Sequence, residues 1–148
     1  MDDVVIRQSF VKVQFYEPDV GYENIWASVS DAPDAYVIES VPFFVYDISL
    51  KDVVLTKPHG ETGVISFERI VSKSGHKTVR ARPDQFTLND PEGRDLLSKI
   101  RSAGCEYETL PPHLVAIDAP SDSALANIIG ILTNATIPWE YADPAANP

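Results

Sequence analysis

The sequence has 148 residues, a length that suits one ordinary domain or two very small lobes. Twelve Lys and Arg against 22 Asp and Glu give a formal net charge of −10, which disfavours nucleic-acid binding because a phosphate backbone selects a positive protein surface. A single cysteine excludes an internal disulfide and fits a reducing cytoplasm. No signal-like N-terminus or membrane-spanning apolar run is visible, so we expect a cytoplasmic protein without membrane contact.

The first half of the chain predicts a small β-barrel-like N-terminal lobe over residues 1–71. Residues 10–16 alternate between apolar and polar side chains, as a half-buried strand does. The apolar run at residues 42–54 suits a strand or bend that closes the barrel, and residues 57–63 suit a hairpin loop. Short strands separated by regular turn signals are typical of such barrels. The other strands are predicted at residues 24–30, 36–41 and 64–71.

The second half predicts a ferredoxin-like lobe over residues 72–142, followed by a loose tail at residues 143–148. Its clearest element is a helix that Asp90, Pro91 and Glu92 open and that Gly104 ends. The resulting order β-α-β-β-α-β is the ferredoxin-like arrangement, so the fold class is α+β with two packed lobes. The remaining elements are predicted as strands at residues 77–82, 105–110, 114–119 and 137–141 and a helix at residues 121–134.

Five short motifs occur in an order that resembles the DUF4265 family, a bacterial family of unknown function. The resemblance extends over most of the chain. It implies no established activity, cofactor or catalytic residue, so no functional residue is assigned from it. The motifs are IWA at residues 25–27, VPFFVYDIS at 41–49, KDVV at 51–54, SGHKTVR at 74–80 and WEY at 139–141.

Residues 74–82 carry the only concentrated positive charge in this acidic chain. Backbone N–H groups at a glycine turn can bind an anion, and basic side chains could assist. The competing interpretation is a β-bulge with a solvated basic rim, in which Val79 and Ala81 face the core. His76 could also act as a general base. The candidate anion-binding residues are Gly75, His76, Lys77, Arg80 and Arg82.

Four acidic residues of the second half are candidates for contact with a basic partner: Glu106, Glu108, Asp118 and Glu140. Glu106 and Glu108 share one face of a strand, where paired carboxylates could do acid–base work or repel unwanted strand pairing at a sheet edge. They also oppose thiolate formation at Cys105, for which we expect a buried core position rather than a nucleophilic role.

The sequence therefore predicts a non-enzymatic, acidic protein-binding module, most concretely an immunity or antitoxin-like protein that neutralises a basic toxin by direct binding. The alternative is a small-molecule or anion-binding regulatory domain that uses the segment from Gly75 to Arg82. The sequence assigns no catalytic residue, metal ligand or cofactor. We expect a monomer or a weak dimer.

Overall fold

A computed structural model describes residues 10–57 and 62–145, and it confirms the mixed α+β class. Over these ranges nine strands form two sheets, and two helices follow the first sheet in the chain. The elements are β1 (Phe10–Glu17), β2 (Gly21–Val29), β3 (Ala35–Ile38), β4 (Val53–Thr56), β5 (Ile65–Ser72), β6 (Lys77–Ala81), α1 (Pro91–Ser102), β7 (Glu106–Leu110), β8 (Leu114–Ala119), α2 (Asp122–Asn134) and β9 (Trp139–Asp143).

Strands β1 to β5 close on one another in chain order as a barrel. Neighbouring strands are antiparallel except where β1 meets β5, which it pairs in parallel at Val13 and Ile65. The alternation of β1 turns Val13 and Phe15 into the interior, where both are buried. Val45 and Ile48, which lie outside any strand, complete the same core cluster. The chain between β3 and β4 therefore contributes to the barrel core without forming a strand.

The second sheet has the strand order β7-β8-β6-β9, and both helices pack on one of its faces. Val79 and Ala81 of β6 point to that face and join the core cluster with Leu96 and Ile128. Arg80, between them on the strand, points to the opposite face and contacts the chain between β3 and β4. The predicted alternation of β6 thus places one side chain of the basic segment between sheet and barrel.

Several predicted boundaries differ from the observed ones. Within residues 42–54 only the last two residues belong to a strand, and the rest is bent. Strand β9 extends to Asp143, which is buried, one residue into the predicted tail. The predicted loop at 57–63 and that tail lie partly outside the described residues. No helix in the described ranges is long and apolar enough to cross a membrane.

Gly93 and Gly130 offer a matched test of helix packing. A Cβ at Gly93 in α1 would lie 2.2 Å from the carbonyl oxygen of Thr87 and 2.5 Å from Cα of Leu88, both backbone atoms. We expect Gly93→Ala to lower the free energy of unfolding by about 1–3 kcal/mol, as overpacking does. Gly130→Ala in α2 meets open space and should raise it by roughly 0.5–1 kcal/mol. Urea unfolding of both variants checks this, and shifts of the same sign would contradict it.

Candidate functional site

The chain between β3 and β4 packs against the barrel core, and carboxylates hold its backbone in place. We call residues 41–49 the junction segment. Both carboxylate oxygens of Glu23 accept hydrogen bonds from it: Oε2 from the N–H of Phe43 at 2.7 Å, and Oε1 from the N–H groups of Phe44 at 3.0 Å and Val45 at 2.9 Å. One side chain thus satisfies three consecutive N–H groups that no strand partner satisfies.

Two further glutamates extend this arrangement on either side of Glu23. Glu17 accepts a hydrogen bond from the N–H of Tyr46 at 3.2 Å, and Glu108 accepts one from the N–H of Val41 at 2.6 Å. Glu17 belongs to the barrel, whereas Glu108 belongs to the second sheet. The junction segment is therefore fixed from both sides at once.

Arg80 binds the carbonyl groups of the same segment. Its guanidinium donates to the carbonyl oxygens of Pro42 at 3.4 Å and Phe44 at 3.1 Å, and also to that of Val45. Arg80 is 4% exposed, and its guanidinium carbon lies 4.9 Å from the ring centre of Tyr46. Burial lowers the pKa of Arg80 from its ordinary value, while the carboxylates of Glu23 and Glu140 oppose that shift. One cation and three glutamates together satisfy most polar atoms of residues 41–46.

A second polar cluster lies where the junction segment ends. The ammonium group of Lys73 binds the carboxylates of Asp52 and Asp143, both of which are buried. Ser49 donates a hydrogen bond to Asp143 and lies 2.7 Å from the hydroxyl of Thr78. Because an unpaired buried carboxylate is costly, Lys73 has a structural role in joining the barrel to β9.

His76 and Asp118 form a pair on the barrel-facing side of the sheet. His76 Nδ1 lies 2.8 Å from Asp118 Oδ1, and Asp118 is 2% exposed. Burial raises the pKa of Asp118, and the hydrogen bond from His76 opposes the rise. The backbone N–H of His76 donates to Ser74 Oγ at 3.0 Å. The ring and the backbone of His76 are thus both engaged within the chain.

The structure does not bring the five predicted anion-binding residues around one point. Gly75 has a φ of +95°, as a glycine turn requires, but His76 contacts a carboxylate and Arg80 contacts carbonyl groups. Lys77 and Arg82 stand five residues apart along a strand, or about 16 Å. Arg80 is 4% exposed, and its guanidinium is engaged by backbone carbonyl groups rather than free for an external anion.

The four predicted partner-binding acids lie on the face of the sheet that carries Arg80, but they differ in access. The pairing register places Glu106 beside Asp118, and Glu108 in the row that contains Arg80 and Glu140. Glu106 and Glu140 are exposed, whereas Glu108 is half-buried on a backbone N–H and Asp118 is buried against a histidine. The first two remain exposed to a partner although Glu140 accepts from Tyr46 and Glu106 lies 3.8 Å from Arg101, while the last two are shielded by their contacts within the chain.

A cavity of about 340 Å³ opens beside the junction segment, between the barrel and the second sheet. We call it the cleft. Glu140 on its wall accepts a hydrogen bond from the hydroxyl of Tyr46 at 2.9 Å and lies 3.8 Å from Arg80. Acidic, aromatic, basic and apolar side chains line it: Glu17, Asp19 and Glu140; Phe43, Phe44, Tyr46 and Trp139; Arg80 and Arg82; Val20, Ala81, Leu114 and Pro138.

A larger groove of about 650 Å³ runs between the two helices and is lined by none of the predicted site residues. Its wall combines apolar groups such as Leu96, Ile131 and Ile137 with Asp95 and Lys99. Among the described residues, no three His, Cys, Asp or Glu side chains gather in a way that could hold a metal ion. The cleft is therefore the cavity in which predicted functional groups meet.

The comparisons with known proteins place the chain in a family. Residues 23–139 match the family described as "Domain of unknown function (DUF4265)". The chain belongs to this family. The matched range begins at Glu23 and ends at Trp139, so it includes the anchor of the junction segment and one wall of the cleft. The DUF4265 motif at residues 41–49 is the junction segment itself, and the motif at residues 74–80 ends at Arg80.

One solved structure is similar to this DUF4265 chain along nearly its whole length. It is described as "Novel crystal structure of a hypothetical protein from Neisseria gonorrhoeae", and it aligns with a TM-score of 0.69 and 18% sequence identity. The alignment covers 95% of this chain and 98% of the other. At that identity the likeness shows the fold alone. A search among curated proteins returned no significant match.

Sequence reasoning missed Glu17, Asp19 and Glu23 as parts of the site. The signal was present for Glu17 and Glu23, because each stands where the alternation of its strand points into the barrel, next to Phe15 and Ile25 respectively. A carboxylate that points into the barrel needs a hydrogen-bond donor there. The donors are backbone N–H groups 20 or more residues away, which side-chain patterns do not reveal.

Arg80 and Arg82 differ in burial and therefore in their expected contribution to stability. Arg80→Ala leaves buried carbonyl groups without a donor and leaves Glu23 without its nearby cation. We expect it to lower the free energy of unfolding by about 3–5 kcal/mol, as removal of one member of a buried charged pair does. Arg82→Ala, at an exposed position, should change it by less than about 0.5 kcal/mol. Urea unfolding followed by circular dichroism compares them, and equal losses would contradict the assigned role of Arg80.

Cys105 is buried, as predicted, with 2% exposure. Burial, aided by the carboxylates of Asp118 and Glu106, raises the pKa of its thiol to about 11. At pH 8 about one thiol in a thousand is then ionised. We expect iodoacetamide at pH 8 to leave the folded protein unmodified for hours and to alkylate it fully in guanidinium chloride. Mass spectrometry measures both, and rapid alkylation of the folded protein would restore the nucleophile hypothesis.

Proposed function

We propose that this protein is a non-enzymatic binding module of the immunity or antitoxin kind, which neutralises a basic protein by binding it directly at the cleft. One observation carries the proposal. Three carboxylates and four aromatic rings line a single cavity beside a rigidly held backbone segment. Because the walls are held by hydrogen bonds before a partner arrives, little ordering would be needed on binding.

The chemistry of the cleft suits a cationic side chain of a partner. Asp19 is exposed at its mouth and Glu140 is 51% exposed, so both carboxylates can meet an incoming arginine or lysine. Phe43, a half-buried aromatic residue of the cleft wall, offers a ring against which a guanidinium can stack. Arg80 lies beneath, with its charge directed to backbone carbonyl groups rather than to the cleft mouth.

The overall charge favours a basic macromolecule over an acidic one. A net charge of −10 speeds encounter with a positive partner and repels nucleic acid. Glu106 adds a further exposed carboxylate to the same face of the sheet, outside the cleft. Glu108 and Asp118, which the sequence also offered for partner contact, instead support the fold. The proposed contact surface is therefore Asp19, Glu140 and Glu106.

We further propose a finer description of the architecture, with a barrel lobe over residues 1–71 and a ferredoxin-like lobe over residues 72–142. The element order β-α-β-β-α-β together with the strand order β7-β8-β6-β9 supports the second assignment. The lobes pack as one unit because the junction segment is bound by both. A cytoplasmic location fits a module of this kind that carries one unpaired cysteine.

The test takes the products of the genes that flank this chain's gene and titrates each of them against the protein. We expect calorimetry to show direct binding that weakens at least tenfold between 50 and 300 mM NaCl, because the contacts are ionic. Asp19→Lys should weaken binding at least tenfold. Glu68→Lys, an equal charge change on the exposed side of β5, serves as the matched control and should weaken it less than threefold.

Two results would overturn the proposal. One is the absence of binding at 50 mM NaCl, and the other is equal weakening by Asp19→Lys and Glu68→Lys. The second candidate, a small-molecule or anion-binding regulatory domain, is favoured by Arg82, the exposed arginine of the cleft wall. A thermal shift with inorganic phosphate or nucleotides that Arg82→Ala abolishes would support that alternative instead.

A further inference from the structure

The outer face of the hairpin formed by β1 and β2 carries four exposed aromatic rings. Their exposed fractions are 51% for Phe10, 59% for Tyr16, 69% for Tyr22 and 48% for Trp26. These residues occupy the outward positions of two antiparallel strands, whose inward positions fill the barrel core. We call this surface the aromatic face. Exposed rings in such number on adjacent strands mark a surface that another molecule covers.

Three of the four rings are already ordered by contacts within the hairpin. Tyr16 and Tyr22 are directly paired across the strands, with ring centres 5.2 Å apart. The ammonium group of Lys12 lies 4.8 Å from the ring centre of Trp26, its cross-strand partner. Side chains fixed before association lose little conformational entropy when they are buried.

Charge singles out this surface in an otherwise acidic molecule. Between the rings, the outward side chains are Lys12, Gln14 and Asn24, so no carboxylate stands among them. Next to Trp26, whose carbonyl oxygen accepts from the N–H of Glu39, the carboxylate of Glu39 is neutralised by Lys51. Two copies of a chain with net charge −10 repel each other on approach. They repel least where their contact surface is neutral or slightly positive.

The available area suits a small self-complementary interface. Aromatic side chains present roughly 150–250 Å² each, so four rings at about half exposure supply about 400 Å² of apolar surface per copy. A standard interface takes about 800 Å² from each partner, and Lys12, Gln14 and Asn24 contribute toward the rest. Within the barrel β1 pairs with β2 and β5, and β2 pairs with β1 and β3, so association through the four rings uses this face rather than a new strand pairing.

We propose that the aromatic face binds a second copy of this chain, forming a two-fold symmetric dimer. The same surface patch on both copies satisfies the symmetry of such a contact. The four rings of the aromatic face do not line the cleft, so the dimer contact and the cleft are formed by different side chains. The inference therefore stands apart from the proposed binding of a basic partner.

Sedimentation equilibrium of the full chain at a series of concentrations tests the dimer. We expect a monomer–dimer equilibrium with a dissociation constant on the order of micromolar, as for a weak interface of this size. Because like net charges oppose association, raising NaCl from 20 to 300 mM should strengthen the dimer severalfold. Binding of a basic partner should show the opposite salt dependence, so the two proposals fail separately.

Variants identify the surface. Trp26→Ser and Tyr22→Ser should each weaken the dimer at least tenfold, and Lys12→Glu should weaken it most at low salt. Val71→Ser, at an exposed apolar position on β5, is the matched control and should leave association unchanged. Thermal unfolding confirms that each variant is folded. A monomer at every concentration and salt, or equal weakening by Val71→Ser and Trp26→Ser, would overturn the proposal.

Discussion

An irregular backbone that is buried between two sheets must find partners for every N–H and C=O group, and this requirement governs the structure. Residues 41–46 meet most of it with side chains instead of strand pairing. Three glutamates accept the N–H groups, and Arg80 donates to the carbonyl groups. Because those side chains come from β1, β2, β6 and β7, the hydrogen bonds that satisfy one segment also fix the barrel against the second sheet.

The same arrangement determines the shape and the electrostatics of the cleft. Phe43, Phe44 and Tyr46 reach its wall only because their backbone is held in a bent conformation. Glu140 then closes a chain of contacts from Tyr46 to Arg80. A hydrogen-bonded network of ionised groups in a partly dry environment is stronger than the same groups in water. The hydrogen bonds that satisfy the backbone of the junction segment therefore also shape the cleft. The side chains that the cleft offers to a partner are set by the same hydrogen bonds.

Local sequence patterns were enough to predict strands and helices, but they could not predict the hydrogen bonds that hold the junction segment. Alternation predicted β1, and Ser121 caps α2 by accepting from the N–H of Ala124, as a serine at a helix start should. Arg80 is different, because counting charge in residues 74–82 treats it as a surface cation. Its partners lie 35 to 38 residues away and are backbone carbonyl groups, which every residue possesses. No side-chain pattern can encode a pairing with backbone carbonyl groups. The sequence therefore predicted strand β6 and its alternation, but not the contacts of Arg80.

The positions of the acidic residues show that only part of the net negative charge faces a partner. Glu23, Asp52, Asp118 and Asp143 bind groups of the chain itself, and Arg80, Lys73 and His76 lie beside them. These acids are internal ligands and contribute little to the charge that a partner meets. The charge available for recognition comes instead from exposed carboxylates such as Asp19, Glu106 and Glu140. The aromatic face of the barrel differs from that acidic exterior because it is neutral and carries exposed rings. The molecule therefore presents two surfaces whose interactions should respond to salt in opposite directions, since attraction to cations is screened while repulsion between copies is relieved.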